Sequence, residues 1–235
     1  MALERIFAVY KEEGMSSHDV VDVVRRLTGE KRVGHAGTLD PWAKGVLVIG
    51  VGRAATKTLS AAAGAEKEYL TRIRLGWRST TDDREGKKEQ VFPPIEAGET
   101  PDTALPPTAQ QVRRALVHFQ GVIDQRPPAF SALKIGGRAA YKLARADRTV
   151  ELPARKVEVK EIELLGYTWP CVEVRLVTGP GFYVRSLARD LGERLGTGGY
   201  MEALERTRVG TYTKEHAVRL ADLPARLAEL APPRE

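Results

Sequence analysis

Residues 34–51 read GHAGTLDPWAKGVLVIGV, and this stretch decides the fold. Its second part, 46–51, is a continuous apolar run, which predicts a strand buried on both faces of a sheet. Three glycines among the preceding twelve residues predict a loop that turns sharply or lets a ligand approach the backbone. Within that loop Asp40 precedes a proline, which keeps it out of the helical conformation. We therefore expect the Asp40 carboxylate at one end of the sheet.

Two interpretations of Asp40 follow from this position. A carboxylate fixed at the end of a sheet can act as a nucleophile or a general base. An Asp-Pro step also starts ordinary turns that have no chemical role. Composition and spacing alone favour the turn, so the loop by itself leaves the chemistry open.

The rest of the chain predicts strands with helices placed irregularly between them. Residues 68–75 alternate in polarity, and two more strands, 157–165 and 171–178, are joined by a short turn. Ser16 with Asp19 and Thr108 with Gln111 predict capped helices, and a further helix is expected at 186–195. We expect a long, irregular excursion from Ser79 to Thr108. This pattern predicts an α+β fold, a mixed and mostly antiparallel sheet flanked by helices.

Composition narrows the class of protein. The chain has 235 residues, of which 42% are hydrophobic and 29% are charged, as is usual for a globular enzyme. Its longest apolar stretch, 45–51, is too short to cross a membrane, and its first residues do not resemble a secretory signal. A single cysteine, Cys171, excludes an internal disulfide, and the four histidines lack metal-ligand spacing. We expect a cytoplasmic protein without a metal.

The charge of the chain favours an anionic partner. Its formal net charge is +6. Between 126 and 148 there is one acidic residue, Asp147, and Phe130 and Tyr141 lie among the cations. The basic residues of this segment are Arg126, Lys134, Arg138, Lys142, Arg145 and Arg148. Cationic side chains can bind phosphates and aromatic rings can stack on bases, so this combination suits the binding of looped RNA. A solvent-exposed helix face would explain the charges equally well.

Two other positions carry candidate chemistry. Tyr183 and Arg185 follow the end of a strand and a glycine-rich bend, just before a predicted helix. Arg185 can pair with a buried acid, or it can be an ordinary surface arginine. Tyr69 falls on the apolar side of its strand, so it is either a core residue or a stacking platform at the floor of a pocket.

A competing pattern follows the buried strand. Gly50, Gly52 and Ala55 match the Gly-x-Gly-x-x-Ala fingerprint of dinucleotide-binding proteins, between a predicted strand and a predicted helix. That fingerprint belongs to parallel strands alternating regularly with helices, and this rhythm disappears beyond Glu68. The next strand also lacks a terminal acidic residue. We therefore disfavour a nicotinamide or flavin enzyme.

At these residues the chain resembles the bacterial tRNA pseudouridine-55 synthases, the TruB family, from about Val9 to Thr211. Residues 34–41 are similar to the family's Gly-His-x-Gly-x-Leu-Asp-Pro catalytic loop. Four further motifs match: Glu66–Tyr69 with Leu75-Gly76, the RNA-gripping thumb at Ser131–Lys134 with Gly137, Arg138 and Tyr141, Gly181–Leu187, and Leu204–Arg206.

The resemblance implies a role for each matching residue. Asp40 would be the catalytic aspartate, Arg185 its salt-bridge partner, and Tyr69 the ring that stacks on the target base and removes the proton from C5. Tyr183 would form a hydrogen bond in the pocket, Leu204 would pack against the base-binding tyrosine, and His35 would enter the T-loop. The other expected substrate or RNA-binding residues are Lys134, Arg138, Tyr141, Lys142, Arg145 and Arg206.

The resemblance also implies an activity. The chain would flip uridine 55 out of the T-loop of tRNA and convert it to pseudouridine without a cofactor. We expect a monomer with a catalytic domain at 1–213, a thumb insertion at about 124–152, and a short tail at 214–235 in place of a complete PUA domain. Two alternatives remain open, a non-catalytic tRNA-binding or tRNA-folding module and a guide-RNA-dependent synthase similar to dyskerin.

Overall fold

The computed structural model describes residues 5–92, 105–131, 134–135, 138–139 and 152–230. The helices are α1 (Ser17–Thr28), α2 (Arg53–Gly64), α3 (Ala109–Val117), α4 (Val184–Arg194) and α5 (Leu223–Leu230). The strands are β1 (Arg5–Lys11), β2 (Val33–Ala36), β3 (Lys44–Val51), β4 (Lys67–Leu75), β5 (Trp77–Ser79), β6 (Lys88–Gln90), β7 (Gly121–Gln125), β8 (Lys134–Ile135), β9 (Arg138–Ala139), β10 (Arg155–Thr168), β11 (Cys171–Thr178), β12 (Gly199–Val209), β13 (Tyr212–Thr213) and β14 (Val218–Arg219).

The chain forms two compact units. Unit 1 comprises Met1–Leu70 together with Leu204–Glu235, and unit 2 is the continuous segment Thr71–Ala203. The boundaries fall within β4 and β12, so each of these strands contributes residues to both units. This division cuts across the catalytic domain that the sequence predicts at 1–213.

Unit 1 is built on a mixed arrangement of strands in the order β14, β1, β3 and β12, with β2 paired to β3 and β13 to β12. The pairs β1–β3 and β2–β3 are antiparallel, whereas β1–β14 and β3–β12 are parallel. Helix α1 begins with the capping box of Ser16 and Asp19 that the sequence predicts. Its buried face joins residues of β1, β3 and α5 in one apolar core. The predicted short tail is therefore part of unit 1, since β14 extends its sheet and α5 contributes to its core.

Unit 2 contains β4, β11, β10 and β7 as neighbouring strands, of which β7–β10 and β10–β11 pair antiparallel. The capping box of Thr108 and Gln111 starts α3, as the sequence predicts. The segment 79–108, which was expected to be a long irregular excursion, contains regular secondary structure near its start. There β5 and β6 form a hairpin whose connecting loop contains buried Asp83.

The structure confirms the predicted α+β class with a mixed sheet and flanking helices. One boundary differs where the site is concerned, because α4 begins at Val184 and Arg185 lies in its first turn rather than before it. The dinucleotide alternative is not supported, since β12 lies between β3 and β4 and no parallel β3–α2–β4 neighbours form. Within the described residues, no helix combines the length and the apolar character that crossing a membrane requires.

Candidate active site

The loop that carries Asp40 joins β2 to β3, and we call residues 37–43 the Asp40 loop. It leaves β2 at Gly37, whose φ of +84° falls in the region that favours glycine. The backbone N–H of Ala43 donates to the Asp40 carbonyl at 3.0 Å, which closes a turn around the Asp-Pro step. The next residues, Trp42 and Ala43, are buried, whereas Asp40 itself is half-buried. The Asp-Pro step therefore forms a turn, and Asp40 in that turn is still partly accessible to solvent. The two interpretations of Asp40, as a turn residue and as a chemical group, are compatible.

Helix α1 holds the Asp40 loop through one hydroxyl. The Ser17 Oγ donates to the Leu39 carbonyl at 3.0 Å and accepts from the Leu39 N–H at 2.8 Å. Both residues are buried, so these backbone groups do not rely on water. The residue immediately before Asp40 is thereby fixed to the start of a helix.

A buried lysine holds the other side of the loop. The Nζ of Lys11 donates to the carbonyls of Glu12, Met15 and Pro41 at 3.0, 2.7 and 3.0 Å, and its side chain is fully buried. Burial lowers the pKa of Lys11 to about 8, and the nearby charge of Asp40 opposes that shift. The charges of Lys11 and Asp40 therefore attract one another. Sequence reasoning missed Lys11 because a charged run such as 11–13 is typical of an exposed surface.

Tyr69 lies on the buried side of β4 and is 7% exposed. Its burial raises the pKa of the phenol, and a hydrogen bond and the positive charge of Arg206 act in the opposite direction. Leu204, on β12, is also buried. Unit 1 thus contains a buried aromatic ring and a buried aliphatic side chain at two of the positions that the resemblance indicates.

Arg206 is 2% exposed, which is at odds with the direct RNA contact expected from the sequence. Its Nε donates to the Val46 carbonyl at 2.8 Å and its Nη2 to the Gly37 carbonyl at 3.0 Å. Its side chain also bonds to Tyr69. A guanidinium occupied by internal acceptors is not available to a phosphate, so the contribution of Arg206 to the site is internal.

His35 lies on β2, opposite Ile49 of β3, and is half-buried. Burial is the largest cause that lowers the pKa of its imidazole, and the charges of Arg206 and His18 add to it. These effects favour the neutral form of the ring. Its expected entry into the T-loop remains a prediction.

Unit 2 contains the second group of candidates. Arg185 is 9% exposed, and its Nη1 bonds to Asp83 Oδ2 at 3.3 Å while its Nη2 donates to the Phe130 carbonyl at 2.9 Å. Asp83 also accepts from the Thr81 hydroxyl and from the backbone N–H of Glu85. The surface alternative for Arg185 is therefore wrong, because this guanidinium is buried and bonded to an acid. Sequence reasoning did not identify Asp83, which lies 102 positions away in a loop expected to be irregular.

The backbone of Tyr183 is held by the amide of Gln125. The Gln125 Nε2 donates to the Tyr183 carbonyl at 3.1 Å, and the Tyr183 N–H donates to the Gln125 Oε1 at 2.9 Å. Gln125 is 2% exposed at the end of β7. This two-way contact fixes the residue that precedes α4, and no local sequence signal identifies Gln125 as its partner.

The thumb candidates lie largely outside the described residues. Lys134 and Arg138 are placed on β8 and β9, which pair antiparallel as a small separate hairpin. Tyr141, Lys142 and Arg145 fall outside the part of the chain that the structure describes. The predicted roles of these five residues in RNA binding remain predictions.

The predicted site residues are divided between the two units. Asp40, Tyr69 and Leu204 belong to unit 1 with His35 and Arg206, whereas Tyr183 and Arg185 belong to unit 2. The salt bridge between Asp40 and Arg185 remains a prediction of the resemblance.

Two family models match consecutive parts of the chain. Residues 25–184 match the family described as TruB family pseudouridylate synthase (N terminal domain). Residues 185–231 match the tRNA pseudouridylate synthase B C-terminal domain. Together these matches cover residues 25–231, which include residues of both units. The fold and these matches define a pseudouridylate synthase, and the chain belongs to the TruB family.

Bacterial relatives cover nearly the whole chain. It is 46% identical over 233 residues to tRNA pseudouridine synthase B of Thermobifida fusca (strain YX), covering 94% of this chain and 74% of that protein. It is 44% identical over 219 residues to tRNA pseudouridine synthase B of Corynebacterium diphtheriae, covering 92% of this chain and 70% of the relative. The resemblance found in the motifs is therefore confirmed over the length of the chain.

Solved structures agree on the fold. A chain in the crystal structure of a Cbf5-Nop10-Gar1 complex is similar with a TM-score of 0.69 and 28% identity over 95% of this chain. A chain in the structure of an H/ACA RNP bound to a substrate RNA containing 2'-deoxyuridine has a TM-score of 0.65 and 25% identity, again over 95% of this chain. This chain spans 54% and 53% of their respective lengths.

Proposed function

We propose that this chain is a tRNA pseudouridine synthase that isomerises the T-loop uridine at position 55. The relatives with 44–46% identity are named tRNA pseudouridine synthase B, and the site residues of that family are present here. The proposed substrate is the T-arm of tRNA, and the proposed place of action is the cytoplasm. We further propose that the enzyme acts as a monomer.

The observation that carries the proposal is the restraint on Asp40. Ser17 and Lys11 bind the loop on either side of it, and the charge of Lys11 attracts that of Asp40. An acid held in this way can meet a ribose carbon without a large loss of conformational entropy. A surface turn would not require two buried polar side chains to support it.

The chemistry fits such a site. Pseudouridine formation breaks the N1–C1′ bond, turns the uracil and joins C5 to C1′, after which C5 loses its proton and N1 gains one. The atoms and electrons balance within the nucleotide, so the reaction requires no redox cofactor. Asp40 would either attack C1′ or take the C2′ proton, and both routes use one ionised carboxylate.

The other candidates would bind and orient the RNA. Extruding a stacked base costs on the order of a few kcal/mol. Stacking on Tyr69, packing by Leu204 and cations of the thumb would offset that cost. We propose that Arg185 contributes to keeping Asp40 ionised, that Tyr183 forms a hydrogen bond with the base, and that His35 supports the opened T-loop.

The test replaces Asp40 with asparagine, which keeps the shape of the side chain and removes its charge. We expect Asp40→Asn to abolish tritium release from tRNA labelled at uridine C5 while the Kd for tRNA stays within about twofold. The matched control is Asp222→Asn, the same substitution at an exposed position of unit 1. An Asp40→Asn variant that turns over normally would refute the assignment.

The structural likeness to a chain in an H/ACA RNP favours one second candidate, a guide-RNA-dependent synthase. The higher identity to the bacterial relatives argues for the stand-alone enzyme. Turnover by the purified chain on a bare T-arm hairpin would separate the two, because a guide-dependent enzyme would leave that RNA unmodified. Binding of the hairpin without any turnover would instead support the non-catalytic tRNA-folding module.

A further inference from the structure

Arg206 connects three parts of unit 1 through one guanidinium. Its Nε and Nη2 donate to the carbonyls of Val46 and Gly37 at 2.8 and 3.0 Å, and its third partner is the Tyr69 side chain. A guanidinium has five N–H donors in a rigid plane, so it can bind several acceptors in fixed directions. The two carbonyls lie on opposite sides of Asp40 along the chain. One side chain therefore binds the first residue of the Asp40 loop and the strand that follows the loop.

The backbone around Arg206 is shaped to allow these contacts. Strand β12 runs parallel to β3 with Arg206 opposite Gly45. A Cβ atom at Gly45 would lie 2.2 Å from the Arg206 carbonyl oxygen, so only glycine permits this approach. At Gly37, a Cβ atom would lie 3.5 Å from Arg206 Nη1. Gly45 thus leaves room for the backbone of Arg206, whereas a Cβ atom at Gly37 would make an ordinary contact with Arg206 and glycine is favoured there by its φ of +84°.

Burying a guanidinium is costly unless its donors are satisfied. Arg206 is 2% exposed, and the ionisable group to which it bonds is the Tyr69 phenol. Val46 and Gly37 contribute only neutral carbonyls. The donors of Arg206 are directed to the carbonyls that flank Asp40 and to the Tyr69 phenol, all of which belong to the proposed site.

We infer that Arg206 is a positioning residue, which fixes the Asp40 loop relative to the hydroxyl of Tyr69 by binding both at once. This inference rests on the proposed function, in which Asp40 acts on the ribose and Tyr69 lies against the base. We thus assign Arg206 a positioning role in place of the direct RNA contact that the sequence predicts for it. It makes the geometry of the acid depend on the hydroxyl of the tyrosine.

The kinetic test uses Arg206→Lys, which keeps the charge and loses the planar set of donors. We expect the single-turnover rate on a T-arm hairpin to fall about 10- to 100-fold, because small displacements of a catalytic group have effects of this size. The Kd for the hairpin should change by less than about twofold. The matched control is Arg208→Lys on the same strand, where the partly exposed ion pair with Glu66 tolerates a lysine.

A double-mutant cycle separates positioning from a purely structural role. If Arg206 acts through the Tyr69 hydroxyl, Arg206→Lys should lower the rate much less in a Tyr69→Phe background than in the wild-type chain. Additive effects would overturn the inference. A raised Kd with an unchanged single-turnover rate would overturn it as well, in favour of direct RNA binding.

Hydrogen exchange tests the same connection without changing Arg206 and without requiring activity. Tyr69→Phe removes one partner of the guanidinium, so amide exchange in the Asp40 loop should accelerate about 2- to 10-fold, the equivalent of one hydrogen bond. Tyr212→Phe, at a half-buried position of the same unit, should leave that exchange unchanged. Unaltered exchange in Tyr69→Phe would overturn the inference even if Arg206 variants did not fold. If the wild-type chain were inactive on tRNA while exchange in the Asp40 loop still accelerated in Tyr69→Phe, the proposed function would be refuted but the connection through Arg206 would stand.

Discussion

Replacing Ser17 with alanine should destabilise the protein and release the Asp40 loop from α1. The hydroxyl forms two hydrogen bonds with the backbone of Leu39, one as a donor at 3.0 Å and one as an acceptor at 2.8 Å. Both residues are at most 3% exposed, so water does not replace the missing partner. Ser17→Ala therefore leaves one buried N–H and one buried carbonyl unpaired.

The size of the effect follows from these two groups. An unpaired buried donor or acceptor costs about 1–3 kcal/mol. The higher helix propensity of alanine returns about 0.5 kcal/mol at the start of α1. We expect the free energy of unfolding to fall by about 1.5–5.5 kcal/mol, a large part of the stability of an ordinary domain.

Urea denaturation followed by the fluorescence of Trp42 is the appropriate assay, because this buried side chain lies two positions beyond Asp40. Trp77 and Trp169 would be replaced by phenylalanine in all variants so that only Trp42 reports. Ser60→Ala, on the exposed side of α2, is the matched control and should change stability by no more than about 0.5 kcal/mol. A loss below about 1 kcal/mol in Ser17→Ala, with an unchanged m-value, would refute the reasoning.

Two further predictions concern the backbone near the site and the thumb. Gly45→Ala should destabilise the protein by about 2–5 kcal/mol, since its Cβ atom would lie 2.2 Å from the Arg206 carbonyl oxygen and φ there is +118°. Gly64→Ala is the control in the same denaturation assay, because a Cβ atom at Gly64 would face open space. Equal losses of stability in the two variants would contradict the prediction. Reversing Lys142 and Arg145 to glutamate should weaken hairpin binding and lower the slope of log K against log salt by about 0.7–0.9 for each phosphate that the protein no longer neutralises. A salt titration with an unchanged slope would show that this pair does not touch phosphate.

Local signals in the sequence predicted the elements that carry the site. The capping box of Ser16 and Asp19 starts α1 as expected, and the alternation in β4 places Tyr69 on the buried side. The continuous apolar run of β3 is buried along its length. These features are encoded by residues a few positions apart, so the periodicity of a single segment reveals them.

Contacts between distant residues were not predictable in the same way. The pairing of Arg185 with Asp83 and the binding of the Tyr183 backbone by Gln125 join residues 102 and 58 positions apart. Arg206 was expected to contact RNA because it lies in a motif that resembles the family's, yet its side chain is buried within unit 1. Local patterns do not encode such partners, because the tertiary fold decides which polar groups become buried together.

The separation in sequence between the Asp40 loop and Arg206 has a consequence for synthesis on the ribosome. The Val46 carbonyl and its arginine partner are 160 positions apart. At translation rates of about 5–20 residues per second, roughly 8–30 s pass between the two. All of unit 2 is polymerised in that interval, so its folding can precede completion of unit 1. A nascent chain arrested before β12 emerges would already contain Asp40, but without the side chain that secures its loop.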